Sequence, residues 1–227
     1  MCRMELIKKS IHMNRLKNRI QAQITLDDDF IVPDTKSESE LYTNLVGYKA
    51  GGEKLFVYSN DGAKALDSSG DALWEVSYQL ENPDVAYCEN MASVADIGGK
   101  SVYVVAENGI PYNYEVIYPI IKHEVAKQGV TAVLLDNGTE DFIQLYDING
   151  TLRVDINTKT KIDGIPIDIA LSPDGKKLVT LYVTFQGNAM ICKATFYNAD
   201  EVEKIKSIIS LDKSRLKKIC WHMMSGL

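Results

Sequence analysis

Histidine is scarce in this chain: His12, His123 and His222 are the only three among 227 residues. Two of them stand near the termini, so no His-rich metal centre can be assembled from the interior. Cysteine is also sparse. Cys2, Cys88, Cys192 and Cys220 are scattered, with no CxxC pair and no dense framework, and they read as buried or unpaired thiols. No apolar run reaches the ~18 residues that a membrane-spanning helix needs. The polar stretch at 11–20 breaks up any signal-peptide core. An excess of basic charge is missing too. The formal net charge is −6 and no interior segment gathers Lys and Arg, so nucleic acid is not an expected partner. No GxSxG, HExxH, GxGxxG or phosphate-loop pattern occurs.

What the chain does have is a ruler made of glycine. Gly62, Gly99 and Gly138 follow one another at intervals of 37 and 39 residues, and Gly70, Gly109 and Gly150 at 39 and 41. Between them lie short apolar or alternating runs, each closed by Gly, Pro, Asn or Asp, as hairpin-linked strands are. The pieces at 54–62, 63–70, 71–78 and 82–89 return at 91–99, 100–109, 111–119 and 120–129. A third copy follows at 130–138, 141–150 and 151–158, and residues 164–175 lead into a fourth. A period near forty with four strands in it is the signature of a β-propeller blade.

The alternation agrees. Trp74, Val76 and Tyr78 share one side of their strand, with Glu75 and Ser77 on the other. Tyr112, Tyr114 and Val116 oppose Asn113 and Glu115, and Leu152, Val154 and Ile156 oppose Arg153 and Asp155. The third-strand runs SVYVV and FIQLY are apolar at nearly every position, as strands covered on both faces are. Helices are disfavoured because the period is two and the runs are short and β-branched. A two-sheet sandwich is the rival architecture, and the fixed repeat length favours the propeller. The glycines are expected at positive φ, where a Cβ is penalised.

The expected order is a basic helix and acidic linker over 1–40, blades over 41–200 and a helical tail over 201–227. Residues 1–20 carry six basic side chains against Glu5 alone, a local net charge of +5. Met4, Ile7, Ile11, Leu16 and Ile20 fall at roughly helical spacing. Such a helix can lie on an anionic membrane or bind a partner, or remain a short solvated helix. Asp27, Asp28, Asp29, Asp34, Glu38 and Glu40 then reverse the sign, and consecutive aspartates lack the spacing of a calcium loop. Residues 41–50 supply the inner strand of the first blade. Asp174-Gly175 after Pro173 suits a hairpin turn. Past 200 the rhythm fails, and Val202, Ile205, Ile209, Leu216 and Ile219 suit a helix. The fourth blade therefore either lacks its outer strand or has a short one ahead of the helix. An unfinished blade leaves an unpaired edge.

Chemistry is thin. Asn137 and Asn149 head Asn-Gly-Thr sequons, but both stand where a hairpin turn wants Asn-Gly. Tyr78, Tyr112, Tyr114 and Tyr118 read as packing groups. The one charged cluster falls on the innermost strands, which line a propeller's channel: Asp84, Lys122, His123, Glu124 and Asp168. A solvated channel wall and a ligand site are the two readings of it. No catalytic, metal-binding or cofactor-binding residue is assigned, and no cofactor is expected. The expected partner is another protein, or a second copy held through an exposed blade edge, with membrane contact through 1–20.

The runs DGAKALDSSGDALWEVSY, VADIGGKSVYV and IQLYDINGTL resemble an uncharacterised propeller-like family of Gram-positive bacteria, a domain of unknown function, over about 42–198. The blade wording is also similar to that of quinoprotein-type propellers. The resemblance implies an array of about four blades, a membrane-anchored propeller outside the cell, and no catalytic residues. This chain departs from the pattern in having no membrane helix and in its helical tail. A non-catalytic interaction or scaffold module, in the cell envelope, is the first functional expectation. A quinoprotein-like or glycan-active enzyme, or a fragment of a larger propeller, is the alternative.

Overall fold

The computed structural model describes residues 45–51, 53–186, 189–199 and 209–211. They form four sheets of four antiparallel strands, each sheet taken in chain order from its inner to its outer strand. Blade one is β1 (Leu45–Gly51), β2 (Lys54–Ser59), β3 (Gly62–Leu66) and β4 (Ala72–Ser77). Blade two is β5 (Pro83–Cys88), β6 (Met91–Asp96), β7 (Ser101–Val105) and β8 (Pro111–Glu115). Blade three is β9 (Ile120–Val125), β10 (Thr131–Asp136), β11 (Asp141–Tyr146) and β12 (Leu152–Thr158). After a single helical turn, α1 (Thr160–Asp163), come β13 (Ile165–Leu171), β14 (Lys177–Gln186), β15 (Ala189–Asn198) and β16 (Ile209–Leu211). The repeat read from the glycines is thus a propeller-like array and not a sandwich.

Each blade stacks on the next through the second and third strands, which are apolar on both faces because each face meets another blade. In β10, Val133 and Leu135 join Val102, Val104 and Tyr146 in the core between blades two and three. The alternate residues Ala132 and Leu134 turn the other way, against Ile169, Leu178 and Tyr182 of blade four. Phe56, Trp74 and Val76 of blade one close similarly on Val85 and Val94 of blade two. The outer strands bury one side only: Trp74 and Val76 are sealed while Glu75 and Ser77 are exposed. Backbone bonds reinforce the stacking. The Ile120 amide donates to the Gly99 carbonyl at 2.8 Å, and Lys127 donates to Pro173 at 3.0 Å across blades three and four. Of the four tyrosines expected to pack, Tyr78 lies on Tyr103, Tyr114 on Tyr146 and Tyr118 on Phe142, whereas Tyr112 is exposed and corrects the expectation there.

The repeat extends to individual hydrogen bonds. The Asp67 carboxylate accepts from the amides of Ser69, Gly70 and Asp71 at the β3–β4 turn, and Asp147 accepts from Asn149 and Thr151 at the equivalent β11–β12 turn. Gly70, Gly109, Gly138 and Gly150 have the expected positive φ. Gly62 and Gly99 do not, which corrects the reason for glycine there. A Cβ on Gly62 would stand 2.6 Å from the Val76 carbonyl oxygen, and one on Gly99 would run into the Asp96 carboxylate. Close approach, and not left-handed backbone, selects glycine at these two places.

Blade four does have an outer strand, a short one as the second of the two expected alternatives had it: Ile209–Leu211 pairs with residues 192–194 of β15. The helical expectation is wrong for those three residues. The basic helix, the acidic linker and the rest of the C-terminal tail lie outside the described residues. Inner strands pack from β1 through β5 and β9 to β13, and among the described residues no contact of that extent returns from β13 to β1. Cys88 and Cys192 are unpaired thiols, as expected.

The Gly62 contact gives a direct check. Gly62→Ala is expected to destabilise the fold by about 1–3 kcal/mol, since the obstructing atom is backbone and cannot rotate away. The measurement is the urea midpoint at constant denaturant dependence, and an unchanged midpoint contradicts the close-approach account.

Candidate site at the inner strands

The inner strands bring together a chain of polar groups that starts on blade one and ends on blade three. Lys49 of β1 reaches across to Asp84 of β5, with its ammonium 2.9 Å from Oδ1 and 3.0 Å from Oδ2. The imidazole of His123, on β9, approaches the same carboxylate, with Nε2 3.5 Å from Oδ2. That contact is not a hydrogen bond, and among the described residues the buried Nε2 has no hydrogen-bond partner. On its other side Nδ1 shares a 2.9 Å hydrogen bond with Ser93 Oγ of β6. One ion pair and one bonded ring therefore tie blades one, two and three together beside the axis.

Burial and charge set the ionisation. Burial alone raises a carboxyl, but His123 and Lys49 at the Asp84 oxygens outweigh it and hold that carboxyl well below the usual range. The Tyr58 hydroxyl is pushed up by burial and by the Asp84 charge beside it. Glu124, next to His123 on β9 but on the opposite side of the strand, is raised from 4.5 to about 7. Burial does most of this; Asp168 and Asp84 add to it, while Lys49 and Lys122 oppose it.

Ser93, His123 and Asp84 are the residue types of a hydrolytic triad, and their placement decides against that chemistry. A nucleophile must present its oxygen to substrate. Ser93 is fully buried between blades, the His123 ring has no exposed surface, and the Asp84 oxygens are already taken by Lys49. The arrangement works as a pin. Among the described residues, no three His, Cys, Asp or Glu side chains stand close enough to hold a metal ion.

The five residues picked from the sequence separate here. Asp84, Glu124 and Asp168 lie half-buried on three successive inner strands, and Lys122 is exposed beside them. His123 is not a channel-lining residue: alternation along β9 turns it into the interface with blade two. Lys49, Tyr58 and Ser93 were missed. Lys49 was legible in principle, since it occupies on β1 the kind of inner-strand position that Asp84 occupies on β5. Ser93 carried no signal, because its partner lies 30 positions away and on another blade.

The sequence model of a family of unknown function, DUF5711, matches residues 30–213. This chain belongs to that family. No curated protein matches it. Among solved structures, this DUF5711 chain is similar to the hydrazine synthase of Kuenenia stuttgartiensis, with TM-score 0.54 and 18% identity over 80% of its own length and 53% of that chain. The tricorn protease is matched at TM-score 0.54 and 13% identity, over 80% of this chain and 18% of that one. The Pan2 WD40 domain of Neurospora crassa aligns at TM-score 0.48 and 10% identity, over 75% of this chain and 53% of that one. The chain spans about half the length of the hydrazine synthase chain it matches. At these identities the likeness concerns the fold alone.

The DUF5711 chain's inner-strand carboxyls predict its pH dependence. A carboxyl whose pKa is raised on folding keeps its proton only in the native state, so its stabilisation is present below 4.5 and is lost as pH rises through about 7. Asp84 has the opposite sign, and its contribution is lost only in strong acid. Native stability is therefore expected to fall by roughly 2–3 kcal/mol at most between about pH 4.5 and 7 through Glu124. Urea unfolding across that range should show the slope, and Glu124→Gln should remove it.

Proposed function

We propose that this chain is a non-catalytic interaction module whose blades serve as a rigid support for surface contacts. The observation that carries the reading is the closure of the inner polar cluster on itself. Lys49 neutralises Asp84 and Ser93 bonds His123 Nδ1, so most of the cluster's polar atoms are taken within it, and the one potential nucleophile among them is sealed. Catalytic centres instead leave a base or nucleophile open towards the substrate.

The surface supports the same reading. The segments that lead from the outer strand of one blade to the inner strand of the next all emerge on one side of the array. On that side Ile117 precedes blade three, and Ile162 and Ile165 precede or begin blade four. All three isoleucines are exposed. Exposed apolar groups at two of the three inter-blade connections offer anchor points for another macromolecule on that side. A protein partner and a place in the cell envelope, the latter drawn from the family resemblance, complete the proposal.

A catalytic alternative has one feature in its favour. Glu124 is held at about 7 with Asp168 and Asp84 nearby, which is the condition of a general acid at neutral pH. Thermal unfolding separates the two readings. The full chain is expected to keep its midpoint in the presence of calcium with pyrroloquinoline quinone, and in the presence of chito-oligosaccharides. A ligand at a hundred times its Kd adds about 2.7 kcal/mol of stability. A saturable rise of that kind, abolished by Glu124→Gln, overturns the interaction-module reading.

A further inference from the structure

Three Asn-Gly pairs occur in the chain, headed by Asn108, Asn137 and Asn149, and each stands at a turn between two strands. All three asparagines are exposed, and the glycine after each has a positive φ. The dipeptide is the same, but its surroundings are not. At Asn137 the Gly138 amide donates to the Asp136 carboxylate at 2.6 Å. The Asn137 side-chain oxygen accepts from the Thr139 amide at 2.9 Å, the Thr139 hydroxyl at 2.8 Å and the Glu140 amide at 2.8 Å. Neither feature is present at Asn149. There the Gly150 amide donates to the Asp147 peptide carbonyl at 2.9 Å, and the Thr151 amide donates to the Asp147 carboxylate. Among the described residues no hydrogen bond reaches the Asn149 carboxamide. Asn108 is intermediate: its oxygen accepts one amide, that of Ile110 at 3.1 Å, and the Gly109 amide donates to the Ala106 carbonyl. Room differs as well. Nothing stands within 4 Å of a Cβ position at Gly138, whereas Tyr114 crowds Gly150 and Trp74 crowds Gly109.

We propose that Asn137 is a self-modification site, where the β10–β11 turn converts its own carboxamide into a carboxylate through a cyclic imide. The Gly138 nitrogen attacks Asn137 Cγ; the N–Cγ bond forms and the Cγ–Nδ2 bond breaks. The Gly138 proton passes to the Asp136 carboxylate and from there to the departing nitrogen, which leaves as ammonia. Solvent water then opens the imide at either carbonyl, giving aspartate or isoaspartate, and nothing is oxidised or reduced. Each contact serves a step. A peptide nitrogen is a poor nucleophile until its proton is drawn off, and a carboxylate within hydrogen-bond reach is the general base for that. Negative charge builds on Asn137 Oδ1 as the tetrahedral centre forms. Three donors already point at that atom, as in an oxyanion hole. Glycine at 138 leaves the attacking nitrogen unhindered. A carboxylate product suits a turn of this kind, since Asp67 and Asp147 accept turn amides in theirs. The new charge joins Asp136, Glu140 and Asp141 beside the connection that carries Ile117, where the Asp136 amide donates to the Pro119 carbonyl at 3.1 Å. This inference is independent of whether the module is catalytic.

Peptide mapping of the full chain, aged in neutral buffer, tests this by measuring aspartate and isoaspartate at each of the three positions. Asn137 is expected to convert about tenfold or more faster than Asn149, with Asn108 between them. That comparison is made within one molecule and needs no variant to fold. In urea the three rates should draw together, because the turn contacts are gone. Asp136→Ala should slow Asn137 by about tenfold in the folded chain and leave Asn149 unchanged. Thr139→Val, which removes one donor and keeps the backbone amide, should slow Asn137 as well. A folded chain in which Asn137 converts no faster than Asn149 overturns the proposal. So does a difference that survives in urea, which assigns it to local sequence and not to the turn. Aspartate formed without isoaspartate denotes direct hydrolysis and rules out the imide. An Asp136→Ala chain that ages at the native rate removes the base from the mechanism and overturns it too.

Discussion

The structure depends on one constraint: a four-stranded sheet with two apolar faces is stable only between two other layers. Val133 and Leu135 of β10 point into one interface, and Ala132 and Leu134 into the next, so every second residue serves a different blade. No blade buries its central strands alone. The backbone bonds between blades, such as Ile120 to Gly99, add register to what the apolar faces supply in free energy. The ends of the array follow from the same constraint, because there the sequence has made a face apolar for which no described blade exists.

The inner polar cluster is best understood against that background. Inner strands are where blades converge, so charges placed there are forced close together and partly out of water. Pairing is then obligatory. A buried imidazole or carboxylate without a partner costs several kcal/mol, and the Lys49–Asp84–His123–Ser93 chain reduces that cost across three blades. Among the described residues Glu124 has no such partner within bonding reach, and burial raises its carboxyl to about 7. One strand, β9, thus carries both a residue that pins blades together and a residue that titrates near neutrality.

Much of the architecture was legible from spacing. The forty-residue period and the doubly apolar third strands led to a four-blade array because turn chemistry and face alternation are local properties. The turn aspartates Asp67 and Asp147 and the positive-φ glycines belong to the same class. Reasoning from single residues did less well where the cause was distant. Gly62 was read as a turn glycine, yet its neighbour is the Val76 carbonyl, one strand away. The short strand at Ile209–Leu211 lies in a segment of helical pattern and forms because the edge of β15 offers it partners.

The amino-acid order alone determined that short strands would recur in fours and which side of each would be apolar, since a Cβ alternates across a strand whatever surrounds it. It also determined that no motif of known catalytic geometry was present. Only the tertiary structure decided that His123 turns away from the axis to meet Ser93, and that Asp84 is held by a lysine 35 positions earlier. These depend on which blade stands beside which, and periodicity along the chain carries no information about neighbours across it.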